Sequence, residues 1–175
     1  YSVTSLMTGK YLRPLLLQGA GEDSDTWAAL LRGYGYRTAG FFPPALFFID
    51  AQRFQRFRDR LLDFEYNKFE FAEGPDRVRQ VREYLDQAPR ERPLFVWVHL
   101  FAPHEPYEAH PEHPFGDRDI DRYDSEIAFA DAALGSVVRA FRDRTPGGVV
   151  IVSADHGEEF GEHGGHYHGT TVYEE

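Results

Sequence analysis

Two short apolar runs, each delivering the chain into a histidine-bearing loop, constrain this sequence more than any other feature. Residues 94–101 follow Pro93 and are apolar except for His99, and residues 149–152 follow Gly147-Gly148 and are wholly aliphatic. Apolar runs of this length between prolines or glycines are expected of strands buried on both faces. Between them, Tyr123, Ile127, Ala130, Leu134, Val137, Val138 and Phe141 recur every three or four residues and predict a helix over 121–143. Earlier in the chain, Ser24 or Asp25 is placed to cap a helix carrying Trp27, Leu30, Leu31 and Tyr34. Residues 37–42 read as a short strand closed by Pro43-Pro44. Helical stripes follow at Phe54, Phe57, Leu61 and Leu62, and at Val78, Val81 and Leu85. Strands alternating with amphipathic helices define an α/β fold, a mostly parallel sheet with helices on both faces. In such sheets the ligand crevice lies beyond the carboxyl ends of the strands. That is where both runs deposit their histidines.

Three segments carry side chains suited to chemistry. Asp155-His156-Gly157 places a carboxylate and an imidazole in succession at a strand end, a pair able to coordinate a divalent cation. Pro103-His104-Glu105-Pro106 restrains an imidazole between two prolines, which suits general acid work or contact with an anionic oxygen. Residues 158–169 hold four glycines and three histidines, a loop that buries little and whose use is to place polar groups around a ligand. His99, His110 and His113 read as structural. A rival reading makes the chain a non-catalytic module in which His163, His166 and His168 bind zinc among themselves.

Composition excludes other classes. With 19 Lys plus Arg against 29 Asp plus Glu, the net charge is −10, and the chain lacks the basic stripe that nucleic-acid binding requires. The absence of cysteine removes disulfides and thiolate metal sites. No apolar run approaches bilayer-spanning length, so no membrane segment is expected in these residues.

In order and spacing, these pieces resemble the sulfatase family of the alkaline phosphatase superfamily. Ser5-Leu6-Met7-Thr8-Gly9-Lys10-Tyr11, Gly33-Tyr34-Gly35-Tyr36-Arg37-Thr38 and Pro103-His104-Glu105-Pro106-Tyr107 are similar to the family's successive motifs. So are Ser153-Ala154-Asp155-His156-Gly157-Glu158, Gly161-Glu162-His163-Gly164 and the closing His168-Gly169-Thr170-Thr171 with Tyr173-Glu174. The resemblance implies one partial catalytic domain over residues 1–175 with an alkaline-phosphatase-like, incomplete fold. It implies a metal-dependent hydrolase that cleaves sulfate, phosphate or phosphonate esters through a covalent intermediate. A phosphoethanolamine- or phosphoglycerol-type transferase of the same superfamily is the alternative. Asp155 and His156 would be metal ligands, with calcium first and zinc or manganese as alternatives. His104 and His168 would be catalytic and face the sulfuryl or phosphoryl group of a small, glycan-linked or lipid-linked ester. A periplasmic, extracellular or membrane-anchored parent protein is implied as well.

The chain departs from the family pattern at three places. The family nucleophile falls two residues before Tyr1, with the paired metal aspartates further upstream. Val3 stands where the motif has arginine, and residues 40–50 lack the lysine and histidine of many sulfatases. These changes favour a serine or threonine nucleophile and phosphoryl or phosphonate esters.

Overall fold

The computed structural model describes residues 2–11, 24–47, 51–52 and 54–169. Residues 48–50 and the Thr170, Thr171, Tyr173 and Glu174 of the closing motif lie outside the described residues. The chain divides into two compact units, Tyr1–Phe101 and Ala102–Glu175.

The first unit is an α/β layer. Helix α1 (Ser2–Thr8) and helix α2 (Trp27–Gly33) precede strand β1 (Arg37–Phe42). Helix α3 (Gln55–Asp59), strand β2 (Tyr66–Phe69), helix α4 (Gly74–Gln87) and strand β3 (Leu94–Val98) follow. The three strands form a parallel sheet in the order β2-β1-β3, with Ala39 opposite Tyr66 on one side and Val96 on the other. As the central strand, β1 is buried at all but its first residue. Its alternation is lost because both faces are covered.

Aromatic rings fill this core. Phe42 lies 5.2 Å from Trp97, 5.5 Å from Phe69 and 6.0 Å from Phe64, centroid to centroid. Gly40 makes room for them, since a Cβ there would sit 2.6 Å from Phe64 Cδ2 and 2.7 Å from Phe42 Cε1. Thr38 and Glu65 lock β1 to the entrance of β2 reciprocally. The Thr38 amide donates to Glu65 Oε2 at 3.0 Å, and the Glu65 amide donates to Thr38 Oγ1 at 3.1 Å. Arg77, 1% exposed, donates to the Glu70 carbonyl at 2.8 Å and to Gln80 Oε1 at 2.7 Å, tying α4 to the exit of β2.

The cap of α2 is Thr26 rather than Ser24 or Asp25. Its Oγ1 accepts from the Ala29 amide at 3.2 Å while its hydroxyl hydrogen points between the Leu62 carbonyl and Asp63 Oδ2, each 2.9 Å away. The apolar stripe of α2 faces outward, with Trp27, Leu30 and Tyr34 exposed and Ala28 buried. Strand β3 is half-buried along its length, not enclosed on both faces, because it borders the described sheet.

The second unit contains a proline-rich loop, the long helix α5 (Asp119–Arg144) and a glycine-rich segment to residue 169. The aliphatic run at 149–152 is not a strand. Val149, Ile151 and Val152 are 82%, 79% and 62% exposed, and no described strand pairs with them. A strand needs a partner backbone as well as a suitable sequence. None of the described helices is long and apolar enough to cross a membrane.

Candidate active site

All four side chains singled out in the sequence lie in the second unit. Helix α5 organises them. Its Glu126 accepts the Glu108 amide at 3.1 Å and its Ser125 hydroxyl accepts the His110 amide at 2.8 Å, so the proline-rich loop is stitched to the helix by its backbone. His110 itself stacks on Phe129 at 4.1 Å with rings nearly parallel, a structural use. Three rings then join the loop, the helix and the glycine-rich segment. Tyr107 is 5.5 Å from Tyr123 and 5.5 Å from Phe160, and Tyr123 is 5.2 Å from Phe160.

This aromatic joint lies beside a cluster of imidazoles. His156 stacks on His168 with centroids 3.9 Å apart, and His104 meets His168 edge to face at 6.0 Å. Each ring has its Nδ1 against an acceptor. His104 Nδ1 is 2.8 Å from the Glu105 carbonyl and His156 Nδ1 is 2.7 Å from the Gly157 carbonyl. His168 Nδ1 is 3.2 and 3.3 Å from the two carboxylate oxygens of Glu158. Carbonyls and carboxylates only accept, so in each neutral ring the hydrogen resides on Nδ1 and the lone pair on Nε2. His104 is flanked by two cis prolyl bonds, Ala102-Pro103 and Glu105-Pro106.

Asp155 Oδ2 is 3.8 Å from His156 Nε2, the nitrogen that carries the lone pair. Metal bonds of about 2 Å bring both atoms within reach of one cation. The Nδ1 contact to Gly157 is the outer-shell hydrogen bond that metal-ligating histidines usually make. The pair therefore fits a divalent cation, as part of a shell. Among the described residues no three His, Asp or Glu side chains converge as a metal shell, so His163, His166 and His168 do not make a zinc site by themselves. The reason is local. His163 and Gly165 point their amides at Glu159 Oε1, at 2.8 and 3.0 Å, which wraps the loop around a buried acid instead of a cation.

Sequence reading missed the two acids that do this work. Glu158 braces His168, and Glu159, 3% exposed, orders the glycine-rich loop. Burial, reinforced by Glu158, pushes the Tyr107 and Tyr123 phenols above their ordinary range, so both remain neutral hydroxyls. A separate cavity lined by Tyr107, Asp119, Glu159, Phe160, His166 and Tyr167 contains none of the three clustered imidazoles.

The fold is that of the alkaline phosphatase superfamily. The Sulfatase family model matches residues 1–175, and the chain belongs to that family. Two solved structures share the fold. The C-terminal periplasmic domain of EptC from Escherichia coli, in complex with zinc, aligns with a TM-score of 0.61 at 15% identity, over 91% of this chain and 50% of that one. The lipoteichoic acid synthase LtaP from Listeria monocytogenes aligns with a TM-score of 0.51 at 15% identity, over 69% of this chain and 33% of that one. The chain thus spans a third to a half of the length of these structures. No curated protein matches it in sequence.

Proposed function

We propose that this chain supplies part of the active site of a metal-dependent enzyme that breaks sulfate, phosphate or phosphonate esters through a covalent intermediate. The observation that supports it best is the gathering of His104, His156 and His168, with centroid separations of 6.0 and 3.9 Å, beside Asp155. Asp155 and His156 hold the cation, and a nitrogen-plus-oxygen donor pair suits zinc or manganese better than calcium, which prefers oxygen throughout. Bound there, a divalent cation supplies positive charge to the non-bridging oxygens as they accumulate electrons.

The remaining work falls to the chain's own side chains. His104 and His168 present Nε2 to the ester. Protonated at that atom, each donates a hydrogen bond to a non-bridging oxygen or a proton to the departing one. Proton transfer of this kind contributes about 10²–10⁴-fold. Tyr107 and Tyr123, neutral and half-buried, stand near Glu158 and add no charge there.

Whether water or an alcohol resolves the intermediate separates a hydrolase from a transferase. The likeness in fold to a lipoteichoic acid synthase gives the transferase equal standing. Product analysis with a phosphate ester and an added alcohol tells them apart, since inorganic phosphate marks the first and a new ester the second.

The test is made in the complete protein that carries this chain. His104→Ala should lower turnover on aryl phosphate or sulfate esters by about 10²-fold or more while leaving the unfolding midpoint nearly unchanged. Unaltered turnover removes His104 from the reaction. Asp155→Asn should lose most bound metal by elemental analysis, and equal metal in variant and parent would refute its place as a ligand.

A further inference from the structure

We propose that Glu158 is a positioning residue for His168: its carboxylate takes the Nδ1 hydrogen and so fixes both the tautomer and the aim of the ring, keeping the lone pair on Nε2. The use of that lone pair rests on the reading of His168 as an ester-facing group.

The geometry is specific. Both carboxylate oxygens lie at nearly the same distance from Nδ1, 3.2 and 3.3 Å, so the nitrogen faces the middle of the acid and rotation of the carboxylate keeps the contact. The two side chains are unequally exposed, Glu158 at 3% and His168 at 31%. The acid is thus the fixed member and the imidazole the working one, the arrangement in which a buried carboxylate orients a ring whose other nitrogen meets a ligand. Nine residues of glycine-rich chain lie between the two, and the Tyr167 amide, which donates to the Glu159 carbonyl at 3.0 Å, fixes the path of the chain but not the turn of the ring. Gly161, Gly164 and Gly169 all have positive φ, as does Tyr167 immediately before the histidine. A ring carried on so permissive a segment needs a side-chain anchor. Stacking on His156 at 3.9 Å sets the plane of the ring but does not choose which nitrogen carries the hydrogen. Glu158 makes that choice. An unanchored neutral imidazole in water prefers its hydrogen on Nε2, so without the acid the opposite tautomer predominates.

Long-range ¹⁵N–¹H NMR of the imidazoles reads the tautomer directly. The spectra are recorded on the full chain with EDTA at a mildly alkaline pH, with His168 assigned from a His168→Ala spectrum. The parent should show His168 protonated at Nδ1. Glu158→Met, which keeps the buried volume without an acceptor, should move the hydrogen to Nε2, and Glu158→Ala serves where Met disturbs folding. Protonation at Nε2 in the parent, or an unchanged Nδ1 hydrogen in a folded variant, overturns the proposal. Should both variants unfold, the parent spectrum decides alone. In the complete protein, Glu158→Met should lower kcat about ten- to hundredfold with KM little changed. The two readings fail separately. Unchanged turnover in His168→Ala defeats the ester-facing role and leaves the tautomer result standing. A tautomer indifferent to Glu158 defeats only the positioning role.

Discussion

Thr26 shows how much one buried hydroxyl is asked to do. It caps α2 through the Ala29 amide and donates toward Leu62 and Asp63, with no exposure to solvent. Its partners sit in an awkward stretch, since Leu61, Leu62 and Asp63 all have φ between 49° and 65°, a left-handed conformation that side chains rarely adopt. Thr26→Val keeps the shape but removes the cap and the donor together. The expected loss is about 2 kcal/mol, summing a cap and an unmet buried carbonyl, and urea unfolding measures it. A loss below about 0.5 kcal/mol would mean that solvent or another group takes over the hydroxyl's bonds. At this scale the sequence was only partly readable. That His104, His156 and His168 would lie together with Asp155 could be inferred, because Pro103-His104, Asp155-His156 and His168 stand in a recognisable order. The roles of Glu158 and Glu159 could not. Adjacent acids look alike in sequence, and only the path of the glycine-rich loop turns one toward His168 and the other toward the loop's own amides.

Among the elements, β1 was the most legible because its neighbours in sequence announce its ends: glycines before it and a proline pair after it. Helices α4 and α5 were legible because three or more turns of periodic apolar residues average out local exceptions. Strand β2 was not, since Tyr66–Phe69 contains Asn67 and Lys68 and becomes a strand only by pairing with β1. The converse error occurred at 149–152, where a strand-like sequence has no partner among the described strands. Pairing also explains the glycine inside β1. Gly40 is intolerant of a side chain on account of Phe64 and Phe42, whose rings are themselves packed on Trp97 and cannot retreat. Gly40→Ala should therefore destabilise the first unit by about 1–3 kcal/mol despite the better strand propensity of alanine. A denaturation midpoint equal to the parent's would show that the aromatic layer can shift after all.

At the scale of the whole molecule, charge poses a problem that the site must solve. The chain carries a net charge of −10, and the ester proposed to bind it is an anion. An imidazole that is neutral, with its lone pair on Nε2, offers that anion no positive charge, and the Glu158 carboxylate beside His168 does not supply any. Something cationic has to reverse the local field. A unit charge 4 Å from its partner is worth about 4 kcal/mol near a protein surface, enough to outweigh the repulsion locally. Inorganic sulfate is a suitable probe, because zinc sulfate stays dissolved. Titrated into the full chain with excess zinc, it should shift the ring resonances of His104 and His168, and with EDTA its affinity should fall at least tenfold. Asp155→Asn should behave with zinc as the parent does with EDTA. Ionic strength separates this from simple long-range repulsion, which is screened beyond about 8 Å at 0.15 M salt, whereas the missing local charge is not. Sulfate that binds equally well with EDTA, or that binds with EDTA once salt is raised, would show that the overall charge and not an empty pair of ligands governs access.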